Sequence, residues 1–136
     1  MQPALRAGDV VLTRPAALGV RPGDVVVLRH TEPGTNDRLV THNRYIKRVL
    51  AAAGQVVTME AGRLSVDGHA EREGRAPRGA FRQIWTVPEG HLFVVGDNVA
   101  ASTDSRVWRH PFVPCGDLEG VVIRRRAGRG NRRRGA

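Results

Sequence analysis

Lys47 is the only lysine in the chain, and the other 21 of its 22 basic residues are arginines. Arginine stays protonated at any accessible pH, whereas a lysine withdrawn from water can lose its proton. If residues 39–50 form one strand, Lys47 lies between Tyr45 and Val49 on a face that can be shielded from solvent. A neutral amine there can act as a general base. The alternatives are a lysine whose head stays hydrated, or the chance survival of one lysine in an arginine-rich composition.

A second dense group of polar side chains lies at residues 94–106, VVGDNVAASTDSR. A strand ends at Gly96, and small residues lead on to Ser102, Asp104 and Arg106. Hydroxyl, carboxylate and guanidinium groups at this spacing can hydrogen-bond to one another, and an Asp–Arg pair can be bidentate. The segment predicts either a rigid polar cluster or, more simply, a polar loop that caps a short helix.

The composition argues against metal and thiol chemistry. Cys115 is the single cysteine, so no intrachain disulfide can form, and a lone cysteine is more often a buried small residue than a nucleophile. The five histidines are scattered without the spacing of metal ligands, and no glycine motif for a nucleotide occurs. We therefore expect no metal and no cofactor.

The net charge of +9 is concentrated at the end of the chain. Residues 124–136 contain seven arginines and no acidic residue, and without them the net charge is only +2. This composition predicts a disordered tail that either contacts an anionic membrane surface or is simply solvated. No nucleic-acid partner is expected, because no aromatic residue is interleaved with the arginines.

Short segments rich in Val and Ile, separated by Gly, Pro, Asn and Asp, predict a mostly β protein. The expected strands are residues 9–13, 24–29, 39–50, 55–60, 63–68, 91–97 and 119–125. No amphipathic helix is evident, and the polar residues 69–84 predict a loop or a weak hairpin. Strands at this spacing are typical of a barrel or of antiparallel sheets folded over one another.

Five segments, in order along the chain, resemble the sequence boxes of the type I signal peptidase family (peptidase S26), the serine proteases with a Ser–Lys dyad. They are MQPALRAGDVVLT, RPGDVVVLR, YIKRVLAAAG, GRLSVDG, and VVGDNVAASTDSR followed by VP and LEG. Together they cover nearly all of residues 1–124. The last segment is long and specific, and the others gain weight from their order.

The resemblance implies folded-over antiparallel sheets or a barrel with a minimal second subdomain. It also implies an endopeptidase that cleaves the signal or leader peptides of secreted precursors after small residues, at Ala-x-Ala-like sites. Lys47 matches the general base, and Ser102 matches the serine that orients the lysine amine. The residues matched to the support of this site are Asp97, Asn98, Asp104 and Arg106. The residues matched to substrate binding are Met1, Leu5, Tyr45 and Ile46. No cofactor or metal is implied.

The nucleophile marks the main departure from the family pattern. The family serine immediately precedes the Met of a Met-x-Pro box, and this chain begins with that residue, Met1. Because Pro3 and Leu5 keep the register, we expect the serine, and further upstream a membrane anchor, to be encoded before Met1. The catalytic domain would then be membrane-associated and extracytoplasmic, whereas the chain as given would be soluble. The alternative is a truncated, inactive homologue or a non-catalytic peptide-binding module.

Smaller departures concern the loops and the remaining hydroxyl groups. We expect a catalytic domain at residues 1–123, followed by the tail at 124–136. Arg109 replaces a family glycine, so the loop that holds Cys115 is expected to differ in shape. Ser65 and Ser105 are substitute nucleophiles in principle, but neither occupies the family position. Self-cleaving repressors share the Ser–Lys chemistry, but they carry a DNA-binding domain that this sequence lacks.

Overall fold

The computed structural model describes residues 8–33, 40–73, 82–98 and 102–126. These residues form β-strands and two 3-10 helices, at Ala16–Leu18 and Cys115–Asp117. The strands are β1 (Val10–Arg14), β2 (Val25–Pro33), β3 (Val40–Ala52), β4 (Val56–Glu60), β5 (Arg63–Val66), β6 (His69–Glu73), β7 (Gln83–Thr86), β8 (His91–Val95), β9 (Val113–Pro114) and β10 (Leu118–Arg126). No helix in the described ranges is long and apolar enough to cross a membrane.

The larger sheet has the strand order β1-β10-β2-β3-β8-β9, with antiparallel neighbours throughout. Strand β9 lies at one edge, and only the 3-10 helix Cys115–Asp117 separates it from β10, which lies next to the other edge. Three residues span at most about 10 Å, so the sheet must curl until its two sides approach. The curled sheet encloses a first core of Val26, Leu28, Val49, Leu92, Val94, Trp108, Val113 and Val121.

Strand β3 passes from this first core to a second core through a β-bulge. The pairing of β3 with β8 shifts between Val49 and Ala51, so Leu50 is an extra residue on β3. A bulge places two successive side chains on one face. Leu50 and Ala51 accordingly both belong to the second core, while Val49 belongs to the first. The side chains before the bulge alternate, and this alternation sets the face on which Lys47 lies.

The smaller sheet, of order β6-β5-β4-β7, contributes to the second core. Its two hairpins turn through pairs of residues with positive φ: Ala61 (49°) with Gly62 (79°), and Asp67 (49°) with Gly68 (83°). Two successive positive φ angles give the type I′ turn, whose twist matches that of the flanking strands. Phe93 of β8 is fully buried in the second core. Strand β8 is therefore shared by the two cores and ties the smaller sheet to the larger one.

The expectation of a mostly antiparallel β fold is confirmed, and each expected strand overlaps an observed one. For residues 69–84 the sequence predicted a loop or a weak hairpin, and the structure has a strand at each end. The loop is therefore wrong at both ends, and the strands pair outside the segment, β6 with β5 and β7 with β4. Strand β6 leaves little trace in its polar sequence, whereas β7 contains Ile84 and Trp85. Strand β10 continues to Arg126, three residues into the expected tail, and residues 127–136 lie outside the described part.

Candidate active site

Lys47 lies within β3, on the face that lines the first core. It is directly opposite Val26 of β2, and Tyr45 is opposite Leu28. Directly opposed residues of antiparallel strands share a face, so the lysine stem lies beside buried apolar side chains. Lys47 is only 8% exposed. The pairing of β3 with β2 thus places the one lysine of the chain among buried side chains, largely out of water.

The amine of Lys47 is hydrogen-bonded to Ser102, which follows it by 55 residues. The Nζ atom donates to the Oγ atom of Ser102 at 2.9 Å. Burial lowers the pKa of Lys47 below its ordinary value of 10.5, Asp104 opposes this shift, and Arg106 adds to it. The centroid of the Tyr45 ring lies 5.4 Å from Nζ. These surroundings favour an amine that releases its proton at a lower pH than a solvated lysine does.

Asp104 is fully buried and forms a bidentate ion pair with Arg106. Arg106 Nε donates to Oδ1 at 2.8 Å, and Nη2 donates to Oδ2 at 2.8 Å. The backbone N–H of Gly96 donates to Oδ2 at 2.9 Å. Burial raises the pKa of Asp104, but hydrogen bonds from Arg106, Gly96 and Ser102 outweigh burial, so the pKa is lowered overall. Asp104 therefore stays ionised and places a negative charge near Lys47.

Ser105 fastens the loop of Ser102 and Asp104 to β8. Its Oγ accepts a hydrogen bond from the backbone N–H of Val94 at 2.9 Å, and its own N–H donates to the Val94 carbonyl at 3.2 Å. Ser105 is 1% exposed, and its hydroxyl oxygen is already used as an acceptor. Ser105, one of the two substitute nucleophiles, thus serves to hold the loop on β8. Ser65 lies on β5 of the smaller sheet.

At Gly96, the segment after β8 lies in close contact with the loop that carries Ser102. An ideal Cβ placed on Gly96 would overlap Ser102 Oγ, lie 2.5 Å from Ser102 Cβ and come within 3.5 Å of Lys47 Nζ. Contacts this short force a side chain or the backbone to move. Any side chain at this position would therefore separate Ser102 from Lys47.

We expect Gly96→Ala to destabilise the protein by about 1–3 kcal/mol through overpacking and to shift the Lys47 side-chain NMR signals. Denaturant unfolding and spectra of lysine-labelled protein measure the two effects. Gly116→Ala is the matched control, because a Cβ there meets nothing within 4 Å. Equal stability and unchanged lysine signals in both variants would show that the close approach is absent in solution.

Arg48 lies in the segment YIKRVLAAAG, for which the sequence predicted a role of Lys47 alone at this end, and it fixes the bend after β8. It donates from Nε to Asp97 Oδ1 at 2.8 Å and from Nη2 to Asp97 Oδ2 at 2.9 Å. Its Nη1 also donates to the Gly23 carbonyl at 2.8 Å. The hydrogen bond to Asp97 raises the pKa of Arg48 above its ordinary value despite partial burial. Because Arg48 is the residue after Lys47, its ion pair with Asp97 connects the bend after β8 to β3, the strand that carries the lysine.

The structure brings four of the expected site residues into one hydrogen-bonded group: Lys47, Ser102, Asp104 and Arg106. Asp97 belongs to the neighbouring ion pair with Arg48, and Asn98 is exposed beside it. Met1 and Leu5 lie outside the described residues. Cys115 is exposed, in contrast to the burial usual for a lone cysteine.

Tyr45 and Ile46, the expected substrate-binding residues of β3, are both partly buried. Strand β8 pairs with β3 only over Arg48–Ala52. On that side of β3, the residues before Arg48 have no strand partner among the described residues. The backbone edge beside Lys47 is therefore available to an additional extended strand.

The sequence model of the family described as "Signal peptidase, peptidase S26" matches residues 1–125 of the chain. The chain belongs to this family. A signal peptidase fold is also found by structural comparison, with a crystal structure of a signal peptidase I from Enterococcus faecalis V583. The TM-score is 0.54, the match covers 76% of this chain and 96% of that chain, and the sequence identity is 24%. At this identity the likeness concerns the fold alone.

Curated members of the signal peptidase family from bacteria and organelles match most of the chain. Identity is 30% to Signal peptidase I of Pseudomonas fluorescens, over 90% of this chain and 56% of that protein. Identity is 34% to the Mitochondrial ATP-independent inner membrane protease subunit 1a of Arabidopsis thaliana, over 92% of this chain and 64% of that protein. The chain thus spans 56–64% of the length of these two relatives.

The site is built from side chains that can exchange protons and form hydrogen bonds. Within the described ranges, no group of three or more His, Cys, Asp or Glu residues is arranged to hold a metal ion. The chemistry that the arrangement can supply is that of a partly dehydrated amine, oriented by a hydroxyl and flanked by a buried ion pair.

Proposed function

We propose that the chain is the catalytic part of a serine endopeptidase of the signal peptidase I type, in which Lys47 is the general base. The observation that carries this proposal is the buried Nζ of Lys47, 2.9 Å from Ser102 Oγ. Its pKa is lowered chiefly by burial. A general base must be unprotonated in the working enzyme, and withdrawal from water favours the neutral amine. An arginine in the same place would remain protonated.

The nucleophile of the proposed reaction is the serine that the family resemblance locates immediately before Met1. Lys47 Nζ accepts the hydroxyl proton as the serine oxygen attacks the scissile carbonyl, and it then delivers that proton to the departing amine. A water molecule then attacks the acyl carbonyl while the same nitrogen takes its proton; the ester bond breaks, the carboxyl product leaves, and the nitrogen returns the proton to the serine oxygen. Ser102 orients the nitrogen through their hydrogen bond. The ion pair of Asp104 and Arg106 holds the loop that carries Ser102.

The proposed substrate is the signal or leader peptide of a secreted precursor, bound as an extended strand beside Asn43–Lys47. Strand addition uses backbone hydrogen bonds for affinity and side-chain pockets for selectivity. The open edge of β3 before Arg48 supports this mode. Cleavage then follows a small residue, as in Ala-x-Ala. The arginine-rich segment from Arg124 onward would hold the catalytic part close to an anionic membrane surface.

Cleavage by a chain extended upstream tests the proposed function. A chain with serine directly before Met1 is incubated with a precursor that bears an Ala-x-Ala site, and with the same precursor carrying Leu at both Ala positions. We expect cleavage of the first precursor only, and its loss when the added serine is replaced by alanine or when Lys47 is replaced by alanine. Full cleavage by Lys47→Ala would contradict the role of Lys47.

A non-catalytic peptide-binding module is the second candidate function, and the open edge of β3 favours it. The same edge could hold an extended peptide without any chemical step. In that case the serine-extended chain would bind the labelled precursor, as measured by fluorescence anisotropy, and leave it intact. Substitution of Lys47 would then change neither the binding nor the integrity of the precursor.

A further inference from the structure

Three aromatic side chains pack together beside Lys47 in the interior of the larger sheet. The imidazole of His30 lies on the indole of Trp108, with ring centroids 3.8 Å apart and planes inclined by 17°. The Tyr45 ring packs on the same indole at a centroid distance of 5.3 Å. His30 is 5% exposed and Trp108 7% exposed. The proposed chemistry uses neither His30 nor Trp108, so their role is open.

The stack of His30 on Trp108 connects the two sides of the candidate site. His30 on β2 and Lys47 on β3 lie on the same face of the sheet, as the pairing of the two strands requires. Trp108 belongs to the loop that carries Ser102, and its backbone N–H donates to the Asp104 carbonyl at 3.0 Å. A movement of the indole would therefore be transmitted to Lys47 in two ways, through the side chains packed on the sheet and through the loop that carries Ser102.

Packing holds the Trp108 ring in place. Its buried Nε1 has no hydrogen-bond partner among the described residues, so within that part of the chain no hydrogen bond sets the orientation of the indole. The nearly parallel contact with His30 is the one that defines the plane of the indole. The Tyr45 ring packs against that indole, and the centroid of the tyrosine ring lies 5.4 Å from Lys47 Nζ. Because interiors are closely packed, a tilt of the indole displaces the tyrosine ring as well.

We propose that His30 is a positioning residue, whose ring, stacked on Trp108, holds the Tyr45 ring against Lys47 and keeps water from the amine. The proposal rests on the proposed function only in taking Lys47 as the base. It requires a flat ring at position 30. Leucine fills a comparable volume but cannot stack, whereas phenylalanine can.

The groups that face Lys47 determine how its pKa responds when this cover is lost. Burial lowers the pKa, Asp104 raises it and Arg106 lowers it. The Tyr45 ring acts in two ways, because it excludes water and also attracts the ammonium group through its π face. That attraction is weak beside the shifts of several units that burial can cause. Loss of the stack should therefore raise the pKa of Lys47 towards 10.5.

The single lysine makes the test direct in the chain as it stands. Protein labelled with ¹³C- and ¹⁵N-lysine gives one set of side-chain signals, and their pH titration reports the pKa of Lys47 without any peptidase activity. We expect His30→Leu to raise this pKa by about half a unit or more, and His30→Phe to leave it near the native value. The matched control is His69→Leu, which removes an exposed histidine of the smaller sheet and should change nothing.

An unchanged lysine pKa in His30→Leu, or an equal rise in His30→Phe, would overturn the proposal. If His30→Leu does not fold, Trp108→Phe takes its place, because it keeps an aromatic ring with a smaller stacking area. A smaller rise is expected there, and no rise would count against the proposal. The titration does not depend on cleavage, so its failure and a failure of the proposed function are separate results.

Discussion

Lys47→Arg should lower kcat/KM of the serine-extended chain by about 10²- to 10⁴-fold, although the substitution keeps the positive charge. The guanidinium group stays protonated over the whole accessible pH range, so it cannot accept the proton of the nucleophile. Burial, the largest influence on Lys47, lowers its pKa below 10.5. Activity of the unsubstituted site should rise with pH through that lowered pKa as the amine loses its proton. Initial rates on an Ala-x-Ala precursor across a pH series measure both effects.

The control for this prediction exchanges the same two residue types at an exposed position. Arg29 of β2 is 66% exposed at its side chain and pairs with Glu119, away from the hydrogen-bonded group around Lys47. Arg29→Lys should leave kcat/KM and the pH profile unchanged. A Lys47→Arg chain that cleaves at the native rate would remove the reason for a neutral amine at this position.

Asp104→Asn should lower the free energy of unfolding by about 3–5 kcal/mol, because it leaves a largely buried cation without its partner. The Arg106 side chain is only 11% exposed and donates both arms of its guanidinium to the carboxylate. A neutral amide has one acceptor oxygen, so it cannot replace the bidentate pair. Denaturant unfolding at neutral pH measures the loss.

The pH dependence of this loss follows from the lowered pKa of Asp104. Burial alone would raise that pKa, but hydrogen bonds from Arg106, Gly96 and Ser102 lower it. A carboxyl with a pKa lowered by folding contributes stability above its unfolded pKa of about 4 and loses it as the pH falls through the folded value. The difference between the native chain and Asp104→Asn should therefore shrink in acid. Glu119→Gln, at an exposed pair, should cost little, and an equal loss in both variants would contradict the special role of the buried pair.

Most of the strands were predictable because their signals are local. Short runs of Val and Leu next to Gly-Asp pairs mark β1, β2 and β8. Strand β6 was missed because Ala70 is the only apolar residue within His69–Glu73, and its pairing with β5 depends on the turn at Asp67. The curl of the larger sheet and the order of its strands depend on contacts between distant segments, which no local pattern contains.

Two features of the candidate site could be predicted from the sequence, each for a different reason. The burial of Lys47 follows from strand alternation, which is a local property. Its contact with Ser102, 55 residues away, was expected only from the family resemblance. The stack of His30 on Trp108 was missed, because a single histidine and a single tryptophan far apart in sequence give no motif. Arg48 lies in the matched segment YIKRVLAAAG, but its ion pair with Asp97 joins residues 49 positions apart, which no local pattern contains.

The bulge at Leu50 divides β3 into two parts. Before the bulge, the number of residues is fixed by the face on which Lys47 must lie; beyond the bulge, the length of the chain can change. Insertions or deletions in the turn at residues 53–55, between β3 and β4, lie beyond the bulge and leave the alternation before it intact. Removal of one residue between Lys47 and Leu50 would either cancel the bulge or turn the amine to the outer face, because strands repeat every two residues. Along the chain, β3 thus begins with a segment whose register fixes the position of the Lys47 nitrogen atom and ends at a turn whose length can change.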